Sequence, residues 1–260
     1  MEVLAAIFVI AFGLAFGSFL NVCITRLPLH QSIVQPSSRC PLCQAPIAAR
    51  DNIPLLSFLL LRGRCRSCRQ PISWRYPAIE LTNAALWLLC WLRFDLSLRA
   101  AGMAVFAFIM LGLAAMDAET FRLPNTFTLP GIALGIIFSG VTCTHWFKCA
   151  LLSASWAVTV AGLLLATSGL YWLLRRREGI GIGDAKLMAL IAAWLGPSQA
   201  VLVFVMGIVA TALCAVAIIL RRRRFDGSIP LPLGAFLCAA SLFAMFYGQN
   251  VVYWYLSFYR

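Results

Sequence analysis

The chain has 260 residues, of which 62% are hydrophobic and 12% charged, with mean hydropathy +0.89 and a net charge of +12. A soluble domain carries about twice that share of charged residues, so a water-soluble globular protein is excluded. Such a balance points to several membrane spans, with the basic excess acting as an orientation signal and an anionic-lipid contact instead of a nucleic-acid footprint.

In chain order, apolar runs predict spans over residues 3–20, 78–92, 100–116, 126–141, 150–174, 185–196, 200–220 and 229–256. About 20 apolar residues cross a bilayer. The run 185–196 is too short: its helix would cover only about 18 Å. The expected fold is therefore an all-α polytopic membrane protein with about eight transmembrane helices. The first run opens on Met1 and Glu2 and meets no positive charge until Arg26, so it reads as a retained span, with the N-terminus outside and not as a cleaved leader. On that topology, seventeen of the 21 Lys and Arg fall on the cytoplasmic side, including the runs Arg175–Arg177 and Arg221–Arg224. Three parts follow: a first span over 1–24, a polar cytoplasmic loop over 25–77 and a helix bundle over 78–260. No long internal repeat is visible. Gly13 with Gly17, and Gly131 with Gly135, have the spacing that lets membrane helices pack closely.

The cytoplasmic loop holds Cys40-Pro41-Leu42-Cys43 and Cys65-Arg66-Ser67-Cys68, two CxxC pairs with 21 residues between them. Each pair places two thiolates on one side of a tight knuckle, and two knuckles close a tetrahedron around zinc. Nearby Arg39, Arg64, Arg66 and Arg69 favour thiolate, and a reducing cytoplasm disfavours disulfides. With four sulfur ligands and no open position, the site would be structural: a zinc-ribbon-like loop. Cys23, Cys90, Cys143, Cys149, Cys214 and Cys238 are scattered in apolar sequence and read as small buried hydrophobes.

Acidic residues number only nine, and two of them stand at the ends of apolar runs. Asp117 closes the third run in Ala114-Ala115-Met116-Asp117. Asp184 opens the sixth in Gly181-Ile182-Gly183-Asp184-Ala185-Lys186. The alternation of spans puts both at the cytoplasmic level of the membrane. Ionisable groups at that depth are costly and mark function. Gly181 and Gly183 would let backbone approach a peptide substrate closely. Asp184 would lie at a helix N-terminus, which favours its anion, and Asp117 at a C-terminus, which does not. Two facing carboxylates suit aspartyl protease chemistry, in which one takes a proton from water while the other, protonated, polarises the scissile carbonyl. The residues alone leave a second reading open, a proton-coupled transporter using the pair as a relay, though no inverted repeat accompanies it.

These segments together resemble the type IV prepilin peptidases, GxGD-type intramembrane aspartyl proteases. The resemblance is carried along nearly the whole chain by Gly17-Ser18-Phe19-Leu20-Asn21, Arg26-Leu27-Pro28, the two CxxC pairs, Asp51-Asn52-Ile53-Pro54, Arg75-Tyr76-Pro77, Glu80-Leu81, Asp117 with Pro124, and Gly181-Ile182-Gly183-Asp184-Ala185-Lys186-Leu187. It implies that Asp117 and Asp184 are the catalytic pair, with Gly181, Gly183 and Lys186 in support. It implies cleavage of prepilins or pseudopilins at the cytoplasmic face of a bacterial inner membrane, after the Gly that ends a short basic leader. Members with four loop cysteines also methylate the new N-terminal residue with S-adenosylmethionine, so that activity is expected here too.

Overall fold

The computed structural model describes residues 2–176, 181–222 and 231–258. Among them lie nine α-helices and no strand, only two isolated bridges. Eight of the helices match the eight predicted spans one for one. The ninth, α2 (Leu56–Leu60), is a single turn within the cysteine loop. Five helices are long and apolar enough to cross a membrane: α1 (Glu2–Arg26), α4 (Leu98–Thr120), α6 (Trp146–Arg175), α8 (Pro197–Arg222) and α9 (Leu233–Ser257). Arg177, Glu178, Arg223, Arg224, Asp226 and Arg260, which figure in the charge pattern, lie outside the described residues.

The chain divides into two compact units, residues 1–112 and 113–260. In the first, α1 packs antiparallel on α3 (Arg75–Phe94). The reason is steric. A Cβ on Gly13 would fall 2.6 Å from the Ala84 Cα, and one on Gly17 would fall 2.7 Å from the Glu80 Cα. Only glycine allows the two backbones so close, and there is little hydrophobic drive between helices in lipid to replace that contact. Two buried amides fasten the seam: Asn83 Nδ2 donates to the Gly13 carbonyl at 2.7 Å and Asn21 Nδ2 to the Tyr76 carbonyl at 3.1 Å.

In the second unit, α7 (Ile182–Leu195) is the hub, contacting α5 (Asn125–Val141), α6, α8 and α9. Leu187 through Trp194 are all buried. Its 14 residues give a rise of about 21 Å, so the short span of the sequence reading is short in fact. Gly196, at φ +81°, ends it, and Pro197 starts α8 in the first-turn position that suits its fixed φ and missing N–H. Gly135 lets the Trp194 indole lie against α5, where Nε1 donates to the Gly131 carbonyl at 2.9 Å and the ring stacks on Phe138. Ser153 Oγ of α6 donates to the Ala193 carbonyl at 2.9 Å.

One assignment of the sequence reading is corrected. Cys143 and Cys149 are not buried hydrophobes; they form a disulfide across the short α5–α6 connection, where a few residues of chain bring them together. Cys214 is only half-buried, whereas Cys23, Cys90 and Cys238 are buried as expected.

Candidate active site

Asp117 and Asp184 line one cavity of about 210 Å³, within the second unit. Phe121, Leu123, Gly181 and Gly183 complete its wall, together with the segment 231–233.

Each aspartate is placed by a helix end. Asp184 is the third residue of α7, whose N-cap is Gly181. Its carboxylate accepts the Gly181 backbone N–H, while its own N–H donates to the Gly181 carbonyl at 3.1 Å. The carboxylate's bond to the N-cap N–H is one half of a capping box, with aspartate in the glutamate position; glycine has no side chain to supply the other half.

Asp117 is held from outside its own helix. Its own helix runs on to Thr120, so Asp117 sits in the last turn of α4, where free carbonyls disfavour an anion. A different helix supplies what its own cannot. The N-terminus of α9 points at the carboxylate: the Ala235 N–H donates to Asp117 Oδ2 at 2.8 Å, and the Gly234 N–H donates as well. Asp117 is only 6% exposed, so those orphan N–H groups stand in for water. Gly234 is required sterically, since a Cβ there would meet Asp117 Oδ2 at 2.9 Å.

Past Asp117 the chain turns sharply. The Phe121 N–H donates to the Asp117 carbonyl at 2.9 Å, and Phe121 takes φ +54°, an unusual conformation for a bulky residue. The turn brings Leu123 against Gly183, where an added Cβ would lie 3.5 Å from the leucine, and against Gly234 at 3.2 Å. Lys186 does not line the cavity. Its Nζ donates to Asn125 Oδ1 at 2.8 Å, tying α7 to the first turn of α5.

In the first unit the four predicted cysteines converge. The sulfurs of Cys40, Cys43, Cys65 and Cys68 lie within 4.8 Å of one another, and Cys40 Sγ to Cys68 Sγ is 3.8 Å. Four sulfurs at about 2.3 Å from a central ion stand about 3.8 Å apart, so the cluster could hold a tetrahedral metal. Two copies of one short motif build it: Arg39-Cys40-Pro41-Leu42-Cys43-Gln44-Ala45-Pro46-Ile47 and Arg64-Cys65-Arg66-Ser67-Cys68-Arg69-Gln70-Pro71-Ile72. In each, the first cysteine's N–H donates to the carbonyl five residues on, at 3.0 and 2.9 Å, and the residue after the second cysteine turns to φ +58° or +61°. The Cys43 backbone N–H helps to hold the Cys40 thiol down at about 7. Cys68, despite the Gln70 N–H that favours its thiolate, is pushed up to about 11 by burial and by the neighbouring sulfurs. Four thiols cannot all ionise side by side, and a divalent cation relieves that conflict. Arg66 turns to Asp51, making a two-pronged pair at 2.6 and 2.7 Å.

Residues 11–94 match the model of the bacterial peptidase A24 N-terminal domain, and residues 104–216 match that of the type IV leader peptidase family. Over 96% of the chain it is 34% identical to a prepilin leader peptidase/N-methyltransferase of Aeromonas hydrophila, covering 93% of that protein. A protein of the same description from Klebsiella pneumoniae is 43% identical over 71% of the chain and 82% of its own length. The chain belongs to the type IV leader peptidase family. No solved structure matches it. The leader peptidase match contains both aspartates, and the N-terminal match contains all four cysteines.

The α9 N-terminus lies beyond both matches and was missed in the sequence reading. The one available signal was the run Pro232-Leu233-Gly234, a helix start with glycine in its first turn.

Proposed function

We propose that this leader peptidase removes the basic leader of prepilins or pseudopilins by aspartyl chemistry at Asp117 and Asp184, and then N-methylates the new N-terminus. The observation that carries the peptidase reading is the shared cavity of the two aspartates. One carboxylate takes a proton from a water, whose oxygen attacks the scissile carbonyl carbon. The other, protonated, donates to the carbonyl oxygen. Collapse of the tetrahedral intermediate breaks the C–N bond, and a proton passes to the leaving amine. The apolar walls at Phe121, Leu123 and Leu231 suit a hydrophobic residue after the cut and the glycine before it. A proton relay has no use for such a groove beside Gly181 and Gly183.

Zinc is the metal we assign to the loop, as a structural ion held by Cys40, Cys43, Cys65 and Cys68. S-adenosylmethionine, when bound, would supply an activated methyl group for the neutral α-amine, which would give up one proton, with S-adenosylhomocysteine as the product that leaves. The membrane is the inner one of a bacterium, with the N-terminus outside and the zinc loop cytoplasmic. The Cys143–Cys149 disulfide supports that orientation. The same topology puts the α5–α6 connection on the oxidising outer side and the four free loop cysteines on the reducing side.

Co-expression with a candidate prepilin, followed by mass spectrometry of the mature N-terminus, tests both activities. A leader-free, singly methylated product is expected. An intact leader on every candidate refutes the peptidase reading, and a leader-free but unmethylated product refutes the second activity.

A further inference from the structure

We propose that α2, the single-turn helix of the cysteine loop, is with Trp74 a membrane-surface anchor, seated in the headgroup–acyl boundary of an anionic bilayer. The proposal rests on the membrane location alone and on neither enzymatic activity. Leu56, Leu59 and Leu60 stand on α2 at the spacing of one helix face, and all three are exposed. Leu60 is 73% exposed and Trp74 76%. Ile53, just before α2, is exposed too, and the Phe58 ring packs edge-on against Trp74 with 4.9 Å between centroids. The polar side chain of α2 is turned inward. Ser57 is buried, where its Oγ accepts the Ile53 N–H at 3.0 Å and donates to the Arg50 carbonyl at 3.1 Å. Leucines out and serine in reverses the pattern of a helix that faces water, and an apolar patch of this kind marks a contact surface.

Depth decides what covers the patch. The Leu55 N–H, at the start of α2, donates to Glu80 Oε2 at 2.8 Å. Glu80 lies on α3, inside the apolar run that opens at residue 78 and about 7.5 Å of helical rise beyond Arg75. So α2 sits beside the first turns of a span, not out in the solvent beyond it. At that level Leu81 of α3 is exposed, and so is Phe19 of α1, two residues from the Gly17 that packs on Glu80. The patch continues this lipid-facing surface. Trp74 is the N-cap of α3, the place of an indole in a membrane's aromatic belt. Arg50, Arg62 and Arg64 flank the leucines and are exposed, which suits an anionic headgroup layer. Asp51, which would oppose that layer, is neutralised by Arg66.

The anchor reaches the metal cluster through one tight connection. The Gly63 N–H donates to the Phe58 carbonyl at 2.8 Å and the Arg64 N–H to the Leu61 carbonyl at 3.1 Å, closing the end of α2, and Cys65 follows at once. Seating α2 in the boundary therefore tethers the second knuckle to the membrane. A helix of five residues has little stability of its own, and burial of its leucines in lipid supplies some.

The test puts the photo-crosslinker p-benzoylphenylalanine in place of Leu60, Trp74 or Leu81, one at a time, in the full-length, zinc-loaded protein. Each variant is held in nanodiscs of phosphatidylethanolamine and phosphatidylglycerol, and lipid adducts are read by mass spectrometry. Position 81, on the exposed side of α3, sets the yield of a side chain in lipid. Positions 60 and 74 should each give at least a tenth of that yield, with phosphatidylglycerol over-represented among the adducts at position 60. Zinc content identifies a variant that has lost its fold, and Leu59, exposed on the same face, then takes its place. A yield below a tenth in folded variants overturns the anchor. So does a crosslink to co-expressed prepilin or to a second copy of the chain in place of lipid. Adducts in proportion to the bulk lipid overturn the anionic preference.

Discussion

The Ala235 N–H donates to the Asp117 carboxylate at 2.8 Å across 118 positions of chain, so the N-terminus of α9 helps to build the candidate site. The second donor, from Gly234, comes from the same turn. Gly234→Ala therefore puts a methyl where Asp117 Oδ2 lies, at 2.9 Å, and must push the carboxylate or the helix aside. Misplacing a reacting group by about 1 Å costs about a hundredfold. The expected result is a fall in kcat of about that size with normal membrane insertion, read by prepilin cleavage in detergent.

Gly183 gives a contrasting case. An added Cβ there meets Leu123 at 3.5 Å, an ordinary contact. Gly183→Ala should accumulate and unfold as the parent does. A loss of activity then reports on substrate approach and should appear in KM. A variant that fails to fold would show that Gly183 is needed for packing instead.

Most of the architecture was legible because lipid makes helices declare themselves as apolar runs. Every predicted span has its helix, and the twelve-residue run really is a short, buried hub. The two CxxC pairs and the Gly181-Ile182-Gly183-Asp184 segment were legible because fixed local spacing carries their chemistry. What was not legible is what long-range contact decides. Composition gives no sign that α9 would cancel the unfavourable end of α4 at Asp117. Nor does it separate Cys143 and Cys149 from the buried thiols, since all stand in apolar sequence. The partner of Lys186, Asn125, 61 positions away, was equally illegible.

Trp194 holds α7 to α5 through a hydrogen bond, a stack on Phe138 and a close fit to Gly135. Trp194→Ala leaves a cavity at the hub and should cost about 3 kcal/mol. Thermal unfolding in detergent checks this. A cost below about 1 kcal/mol, the range of volume-conserving swaps, would mean the hub collapses around the gap.

Replacing Cys40 and Cys43 together removes half the metal ligands. Metal analysis should fall from one zinc per chain to none, and Cys65 and Cys68 should become open to alkylation. Leader removal should continue, because every residue lining the aspartate cavity belongs to the second unit, whereas methylation should stop. Cys143 and Cys149 should resist alkylation in both proteins until reduced. Zinc retained by the double variant would contradict the ligand set.

The most direct measurement is single-turnover cleavage of a purified prepilin by Asp117→Asn, Asp184→Asn and the double variant. Groups that act as a unit are strongly non-additive. Each single change should therefore lower the rate by at least about a thousandfold, and the double change should lower it little further. Cleavage within tenfold of the parent rate by either single variant would contradict a mechanism built on the pair.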